Sequence, residues 1–301
     1  MSVILSPVSR GVNRLRIILE MIKFEHTIFA LPFALIGAIY ASNGLPNWRT
    51  LVWIIAAMVG ARSAAMSFNR LADHKIDAKN PRTSNRALPA GTLKPFHVAI
   101  FLSASIALFE LASYKLNMLC LILSPVALII VLGYSYSKRF TSFSHLWLGL
   151  SLGIAPTAAW IAVSGRLELQ PVLLSLGVML WTAGFDVLYS LQDLEFDKQQ
   201  GLFSIPKRFG LKASLWIARG FHLIAAISFA AAGIVLGAGI FYFIGVAVIA
   251  LLLIYEHTLV NPQDLTKINI AFFTVNGYVS VVMLLFVVAD WVFRVKVLGD
   301  R

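Results

Sequence analysis

The sequence has little charge and almost no cysteine, and each shortage excludes a broad class of protein. Charged residues make up 13% of the 301 residues, whereas a soluble domain carries about 25%. Hydrophobic residues make up 59%, and the mean hydropathy is +0.81. This composition predicts an integral membrane protein. The single cysteine, Cys120, lies in an apolar run, which excludes a disulfide framework.

Acidic residues are also scarce, and the formal net charge is +11. In a soluble protein this balance would suggest nucleic acid as a partner. Here the basic residues lie between apolar runs, which indicates membrane orientation and anionic ligands and no nucleic acid. The six histidines lack the spacing typical of metal ligands, so none is assigned to a metal.

Nine apolar segments are long enough to cross a hydrocarbon core, which takes about 20 residues per helix. We therefore predict an all-α, polytopic membrane protein with nine transmembrane helices, forming a single domain over 1–301. The division between the seventh and eighth segments rests only on Gly237 and Gly239. In the fifth segment, Gly149 and Gly153 predict a close helix contact. The predicted spans are 24–43, 50–70, 96–114, 117–136, 145–163, 171–192, 213–236, 238–256 and 268–291.

Lysine and arginine are distributed unequally between the two sides that nine spans define. Sixteen fall on the side of the N-terminus and six on the other. Basic connecting segments stay in the cytoplasm. We expect a multi-pass protein of the cytoplasmic (inner) membrane with its N-terminus inside and its C-terminus outside. The polar leader lacks the pattern of a cleaved signal peptide, so we expect it to remain.

The segment NRLADHKIDAKNPRTSNRALPAG, residues 69–91, follows the second apolar run. Its side chains Asn69, Asp73 and Asp77 are spaced by four, which places them on one face of a helix. Arg82 and Arg86 follow within ten residues. A polar face of this kind at the end of a membrane helix indicates a functional site.

A second acidic segment, DVLYSLQDLEFDKQQG, spans residues 186–201 at the end of the sixth apolar run. Asp186, Tyr189, Asp193 and Asp197 are spaced by three and four, which predicts a second polar helix face. Both segments end on the side predicted to be cytoplasmic. The basic pair Lys138 and Arg139 lies on that side as well.

The chemistry of these two segments favours magnesium and phosphate. A carboxylate at the centre of a membrane helix costs about 2.5–3.5 kcal/mol, and the two pairs of aspartates would repel one another if they met. Mg²⁺ offsets such repulsion and is usually held by one or two carboxylates together with phosphate oxygens. Two facing acidic surfaces could thus hold Mg²⁺ ions that bind a diphosphate. Nearby guanidinium and ammonium groups could contact the phosphate oxygens: Arg82, Arg86, Lys138 and Arg139.

Other interpretations remain open at this point. The basic loops could serve membrane orientation alone, and Tyr189 could be an interfacial aromatic anchor. Arg62 could pair with an acidic group or extend toward the interface. A transporter of an anionic solute would use the same charges, but it would distribute them through the membrane depth. A purely structural membrane protein does not explain two acidic faces.

The residues described above resemble the motifs of the UbiA superfamily of intramembrane prenyltransferases. Residues 69–91 resemble that family's N-x-x-x-D-x-x-x-D followed by R-T-x-x-R-x-L-P-x-G. Residues 186–197 resemble its D-x-x-Y-x-x-x-D-x-x-x-D, and the run YSYSKRFT, residues 134–141, resembles its Lys-Arg segment. The resemblance covers essentially the whole chain.

The resemblance implies nine helices around a central cavity, where Mg²⁺ activates an isoprenyl diphosphate. Loss of diphosphate leaves an allylic cation, which an electron-rich acceptor attacks. Aromatic residues such as Phe68 and Trp181 are candidates to shield that cation. Carried over by position, the catalytic and metal-binding residues are Asn69, Asp73, Asp77, Asp193 and Asp197. The other diphosphate-binding residues are Arg82, Arg86, Lys138 and Tyr189, and the acceptor-binding residues are Arg139 and Asp186.

Within the superfamily, the tail of the first motif and the Lys-Arg-Phe-Thr run most resemble 4-hydroxybenzoate polyprenyltransferases of quinone biosynthesis. Relatives with similar motifs serve menaquinone pathways, including the one through futalosine. The expected partners are thus a polyprenyl diphosphate from the bilayer and an aromatic acid acceptor. The length of the prenyl chain and the identity of the acid stay open.

Overall fold

The computed structural model describes residues 17, 18, 20, 21, 29–261 and 263–298, with backbone alone for 295–298. Nearly all of these residues are helical. The helices are α1 (Leu31–Ser42), α2 (Trp48–Asp77), α3 (Pro95–Leu116), α4 (Met118–Ser137), α5 (Ser144–Ser164), α6 (Gln170–Ser190), α7 (Leu194–Gln200), α8 (Ile205–Val235), α9 (Ile240–Leu259) and α10 (Asn276–Leu298). A 3₁₀ turn, Leu191–Asp193, joins α6 to α7, and a π-helical segment, Ile270–Val275, precedes α10.

The predicted all-helical membrane fold is confirmed. Eight helical stretches of the described chain are long and apolar enough to cross a membrane. The first predicted span, 24–43, contains α1, which has only 12 residues. Residues 24–28 of that span lie outside the described part, so the count of nine stays a prediction.

Side chains that accept a hydrogen bond from the first helical turn mark several helix starts. Asn47 accepts from the N–H of Arg49 at 2.9 Å at the start of α2, and Asn117 accepts from that of Cys120 at 2.9 Å at the start of α4. Each bond satisfies a donor that has no partner within the helix. The sequence thus encodes these boundaries locally.

The predicted division between the seventh and eighth spans is present. Helix α8 ends at Val235, Gly237 adopts a left-handed conformation with φ 62°, and α9 begins at Ile240. Asp290 of α10 is 2% exposed, and its Oδ2 accepts a hydrogen bond of 2.8 Å from the N–H of Gly239. A neighbouring helix therefore supplies the cap that the glycine-rich turn lacks.

The helices divide into a densely packed half and a half that surrounds a cavity. In the packed half, Phe33 of α1 stacks on Phe229 of α8, with ring centroids 5.4 Å apart, and contacts Trp181 of α6 at 5.3 Å. Helices α2 to α6 line most of the cavity. Large apolar side chains such as Ile129, Ile234 and Leu251 face outward, as expected of a surface in lipid.

Candidate active site

The first motif lies where the sequence predicts it. Helix α2 continues to Asp77, so Asn69, Asp73 and Asp77 share one face of its last turns. The Asn69 side chain donates to Asp73 Oδ2 at 3.0 Å. All three residues line a polar cavity of about 160 Å³.

The loop after α2 folds back over this face. The hydroxyl of Thr83 donates to the carbonyl of Asp77 at 3.0 Å, and Asn80 Oδ1 accepts from the N–H of Arg82 at 2.9 Å. These bonds turn Arg86 toward α2, where its Nη1 donates to both Asp77 oxygens at 2.8 and 2.7 Å. A turn formed by Asn80, Pro81 and Thr83 thus positions Arg86, which is one of the residues predicted to bind phosphate.

Arg82 connects the two motifs. Its Nε and Nη2 donate to Asp193 Oδ1 and Oδ2 at 3.0 and 2.6 Å, and its Nη1 donates to the Tyr189 hydroxyl at 3.1 Å. Asn80 also donates to Asp193, at 3.3 Å. Two segments more than 100 positions apart in the sequence therefore meet at one carboxylate.

The spacing of the second motif had suggested one continuous helix, but the helix is interrupted. Helix α6 ends at Ser190, a 3₁₀ turn carries Asp193, and α7 carries Asp197. The polar cavity is nevertheless lined by all four predicted side chains of this motif, Asp186, Tyr189, Asp193 and Asp197. The chain passes from α-helix to 3₁₀ turn and back to α-helix, and the four polar side chains still face the same cavity.

The Lys-Arg pair follows α4 and reaches the same cavity. Arg139 Nη2 donates to Asp73 Oδ1 at 3.1 Å and to the carbonyl of Ala72 at 2.6 Å. The carbonyl of Lys138 accepts from the N–H of Phe203 at 2.7 Å, which ties this segment to the chain after the second motif. Lys138 lines the polar cavity and forms no ion pair with any carboxylate in the described residues.

The described lining of the polar cavity balances its charges. It contains five carboxylates and five cations, the latter being Arg70, Arg82, Arg86, Lys138 and Arg139. The repulsion that the sequence attributed to the aspartates is thus offset by the chain itself. Charge compensation alone therefore does not require Mg²⁺. What favours the metal is the set of oxygen atoms that could bind it.

Arg82 and Lys138, two of the cavity cations that lie outside the spanning helices, have raised pKa values. Burial disfavours the charged form of Arg82, but its hydrogen bond and attraction to Asp193 outweigh that effect and raise its pKa. Burial also opposes the charge of Lys138, but the attraction of Tyr134, Asp186 and Asp197 raises its pKa above the ordinary value. Both side chains are therefore permanent cations at physiological pH.

A larger, apolar cavity of about 360 Å³ adjoins the polar one. Its lining on α4 runs from Cys120 to Tyr134, roughly 21 Å along the helix axis. It therefore extends through much of a hydrocarbon core of about 30 Å. Six residues line both cavities and define their junction: Asn69, Arg70, Arg86, Tyr134, Asp186 and Tyr189.

Aromatic rings surround this junction, but they are not the two suggested by the sequence. Phe272 stands 4.1 Å from the ring of Tyr189 and 5.2 Å from that of Phe185, between centroids. Phe68 packs on Tyr136, outside both cavity linings, and Trp181 lies in the core, where it donates to Asn276. The π-helical segment, which no sequence signal announced, brings Phe272 to the junction.

Sequence reasoning also missed or left open several polar residues of the site. Arg62 lines the apolar cavity, its Nε has no hydrogen-bond partner, and within the described chain it forms no ion pair. His145 is fully buried, and its Nδ1 lies 2.7 Å from Asp186 Oδ2. The spacing of Arg62, seven residues before Asn69, was the one available signal. His145 gave none, because its partner is 41 positions away.

The candidate metal ligands lie near one another without forming a ready-made cluster. No group of three histidine, cysteine, aspartate or glutamate side chains in the described ranges is arranged to hold a metal. Asp73, Asp77 and Asp193 each pair with an arginine. Asp197 Oδ2, by contrast, is buried with no hydrogen-bond partner in the described chain. A buried carboxylate oxygen without a partner is a fitting ligand atom for a divalent cation.

Two named prenyltransferases are similar in sequence to most of this chain. A 4-hydroxybenzoate octaprenyltransferase of Vibrio parahaemolyticus is 28% identical over 261 residues, covering 84% of this chain and 89% of the relative. That of Paraburkholderia phytofirmans is 29% identical over 257 residues, covering 83% and 88%.

Solved structures show the same architecture. A UbiA homolog from Aeropyrum pernix, in its apo form, superposes with a TM-score of 0.81 at 33% identity, covering 88% of this chain and 98% of the homolog. A UbiA homolog from Archaeoglobus fulgidus bound to GPP and Mg²⁺ has a TM-score of 0.71, covers 92% and 99%, and at 20% identity supports the fold alone.

The family model described as the UbiA prenyltransferase family matches residues 30–278. This match covers most of the chain, and both acidic motifs lie within it. It decides between an enzyme and a transporter in favour of the enzyme. The chain belongs to the UbiA prenyltransferase family.

Proposed function

We propose that this protein transfers a polyprenyl group from polyprenyl diphosphate to an aromatic acid, with 4-hydroxybenzoate as the favoured acceptor, in quinone biosynthesis. The curated relatives carry the name of that acceptor. The proposed active site faces the cytoplasm, as the distribution of basic residues indicates.

The observation that carries this proposal is the junction between the two cavities. A polyprenyl diphosphate has an anionic head and a long hydrocarbon tail. The polar cavity, with its five cations, suits the head, and the adjoining apolar cavity suits the tail. The bond that breaks would then lie at the junction, beside Asp186 and Tyr189.

The chain's own cations bind and orient the head in this proposal. Arg82 and Arg86 present guanidinium groups whose planar geometry suits phosphate oxygens. Lys138 adds a point charge without an ion-pair partner in the described residues. Tyr189, which accepts from Arg82, is left with its own O–H to donate.

The ligand atoms fit magnesium. The carboxylates of Asp73, Asp77, Asp193 and Asp197, with the amide oxygen of Asn69, would hold it, and the unpartnered Asp197 Oδ2 supports this assignment. When bound, Mg²⁺ neutralises charge on the leaving diphosphate as a Lewis acid. The arginines that pair with these carboxylates would move to the phosphate oxygens.

The apolar cavity protects the allylic cation. Its mostly apolar lining disfavours water, which would otherwise add to the cation. The rings of Phe185, Tyr189 and Phe272 stand at the junction and present π faces to a positive charge. At the junction, the polar lining thus lies beside the diphosphate and the apolar lining beside the prenyl chain.

The acceptor's carboxylate has two candidate partners. Arg139, proposed from the family's motif, already binds Asp73 and a backbone carbonyl. Arg62 lies in the apolar cavity and has an unpartnered Nε. A buried guanidinium without a counter-ion favours an anionic ligand, so we assign the acceptor's carboxylate to Arg62 and keep Arg139 as the alternative.

The decisive experiment incubates membranes that contain the protein with one polyprenyl diphosphate and a panel of aromatic acids, and identifies products by mass. We expect Mg²⁺-dependent prenylation of 4-hydroxybenzoate. Selective prenylation of a menaquinone precursor, including one of the futalosine route, would establish the second candidate instead. No prenylated acid from any member of the panel would refute the proposal.

The metal ligands are tested by Asp73→Asn and Asp193→Asn. Each change removes one carboxylate charge and keeps the side-chain shape, so we expect turnover to be lost while the protein still inserts into membranes. Exposed Glu195→Gln, close to Asp193 in sequence, is the matched control and should keep full activity. Full activity of either aspartate variant would contradict the metal assignment.

A further inference from the structure

His145 is a buried titratable side chain that the proposed reaction has not yet used. It lies in the first turn of α5, is 0% exposed, and its Nδ1 is 2.7 Å from Asp186 Oδ2. This histidine is therefore placed to control the orientation or the proton affinity of a carboxylate at the cavity junction.

The protonation of His145 follows from its second contact. The backbone N–H of Ile205 donates to His145 Nε2 at 3.3 Å. Ile205 is 1% exposed and begins α8, so this N–H has no partner within its own helix and would otherwise be buried without a bond. Because Nε2 accepts, the proton of neutral His145 is on Nδ1, and this N–H donates to Asp186.

Asp186 differs from the three carboxylates that pair with an arginine and, unlike Asp197, it lines both cavities. Asp73, Asp77 and Asp193 each pair with an arginine, whereas the partner of Asp186 is a neutral imidazole. Its Oδ2 is engaged by His145, and no described residue donates a hydrogen bond to its Oδ1. Asp186 lines both cavities, so it stands where the donor's reactive carbon and the acceptor's ring must meet.

We propose that His145 is a positioning residue that holds Asp186 so that the free carboxylate oxygen removes the acceptor's ring proton. This inference rests on the proposed function. It adds the base that this reaction requires and the residue that orients it.

The ring proton leaves after the new C–C bond has formed. The C–O bond of the donor breaks, and diphosphate leaves with the electron pair. The acceptor ring then supplies a pair for the new C–C bond to the allylic carbon, which leaves the ring cationic. Asp186 takes the proton from the substituted ring carbon, and the C–H pair restores the aromatic ring. The proton passes from Asp186 to water through the polar cavity, and no oxidant or reductant takes part.

The experiment compares turnover of ordinary and ring-deuterated 4-hydroxybenzoate in His145→Ala and His145→Asn. With the ordinary acid, we expect His145→Ala to lower kcat by about 10²-fold, the smaller end of general-base effects, with little change in the donor's KM. Because proton removal then limits the rate, the deuterated acid should react more slowly than the ordinary one. His145→Asn keeps an N–H near the position of Nδ1 and should recover much of the rate.

His222→Ala is the matched control. His222 is also buried and hydrogen-bonded, to the carbonyl of Trp181, but it lines neither cavity. It should lower thermal stability without creating an isotope effect. In an Asp186→Asn background, His145→Ala should cost no further activity, because His145 acts through Asp186.

An isotope effect unchanged in His145→Ala, or equal losses from Ala and Asn, would overturn the inference while wild-type prenylation kept the proposed function intact. If His145→Ala does not fold, His145→Leu, which fills the same space without an N–H, replaces it in the same comparisons. Absence of prenylated acid from the wild type would overturn both proposals.

Discussion

Lys138 is the cation of the polar cavity that no described carboxylate pairs with, and its raised pKa has a consequence for donor binding. A lysine whose pKa is raised keeps its charge below its ordinary value of about 10.4 and loses it only above the raised value. We expect the affinity for a non-reactive prenyl diphosphate analogue to show no loss from Lys138 between about pH 7 and pH 9.

Lys138→His should change that behaviour. Imidazole loses its charge near pH 6.5, so the variant's affinity relative to wild type should fall as pH rises through about that value. Lys138→Arg, which stays charged, is the control. Taking the ratio to wild type at each pH removes the analogue's own titration. A constant ratio for Lys138→His would show that this ammonium does not contact the diphosphate.

Arg62 and Arg139 make separable predictions for the acceptor. Arg62→Met removes the charge and keeps the length of the side chain. Losing a charge-assisted hydrogen bond of about 1.5–3 kcal/mol, it should raise the acceptor's KM by at least about tenfold and leave the donor's KM unchanged. Arg139→Met should alter the donor's KM, because Arg139 binds Asp73. If Arg139→Met raised the acceptor's KM and Arg62→Met did not, the acceptor's carboxylate would be assigned to Arg139.

At this scale the sequence predicts which residues meet better than how they pair. Four-residue spacing suffices to place Asn69, Asp73 and Asp77 on one face. The arginine partners of Asp77 and Asp193 depend on the path of residues 78–94 and on bonds such as that from the Thr83 hydroxyl to the Asp77 carbonyl. No periodic pattern encodes such a path.

In the second motif, the sequence predicts the polar face correctly but not the secondary structure that carries it. Spacing of three and four suggested one helix through Asp197, and the structure instead has a 3₁₀ turn at Leu191–Asp193. The tighter turn shifts the residues after it by only part of a turn, so the polar face survives. The seventh span, predicted as 213–236, likewise belongs to a longer α8 that begins at Ile205 and breaks at Gly210, where φ is 79°.

Close contact between α5 and α6 depends on glycine. A Cβ at Gly149 would meet the carbonyl oxygen of Met179, and one at Gly153 would lie 2.8 Å from that of Ser175. Gly149→Ala should therefore lower the unfolding temperature in detergent. Gly220→Ala is the control, because nothing lies within 4 Å of its added Cβ, and it should keep or raise that temperature. Equal losses from both changes would contradict this account.

For the whole molecule, orientation is the property that hydropathy and charge predict and that contacts alone do not reveal. In a Cys120→Ala background, Asn85→Cys and Arg166→Cys place exposed thiols in the loops after α2 and α5. We expect a membrane-impermeant thiol reagent to label Arg166→Cys in intact cells and Asn85→Cys only after permeabilisation. The reverse would place the site on the outer face.

Hydropathy was enough to predict the helical membrane fold, since each spanning helix needs its own long apolar run. The cavity was a different matter. The hydrophobicity of an apolar side chain does not tell whether it faces lipid, the core or an internal chamber. Only the resemblance to a family suggested a chamber, because the residues that line it come mostly from five helices spread along the sequence.

The long apolar cavity also bears on how this enzyme would be assayed. A donor that reaches the site with its tail in hydrocarbon is presented by the bilayer, so its two-dimensional density, rather than its molarity in the tube, governs how often it is encountered. Adding inert phospholipid at fixed amounts of enzyme and donor would slow turnover by surface dilution. Michaelis constants for this protein are then best expressed as mole fractions of lipid.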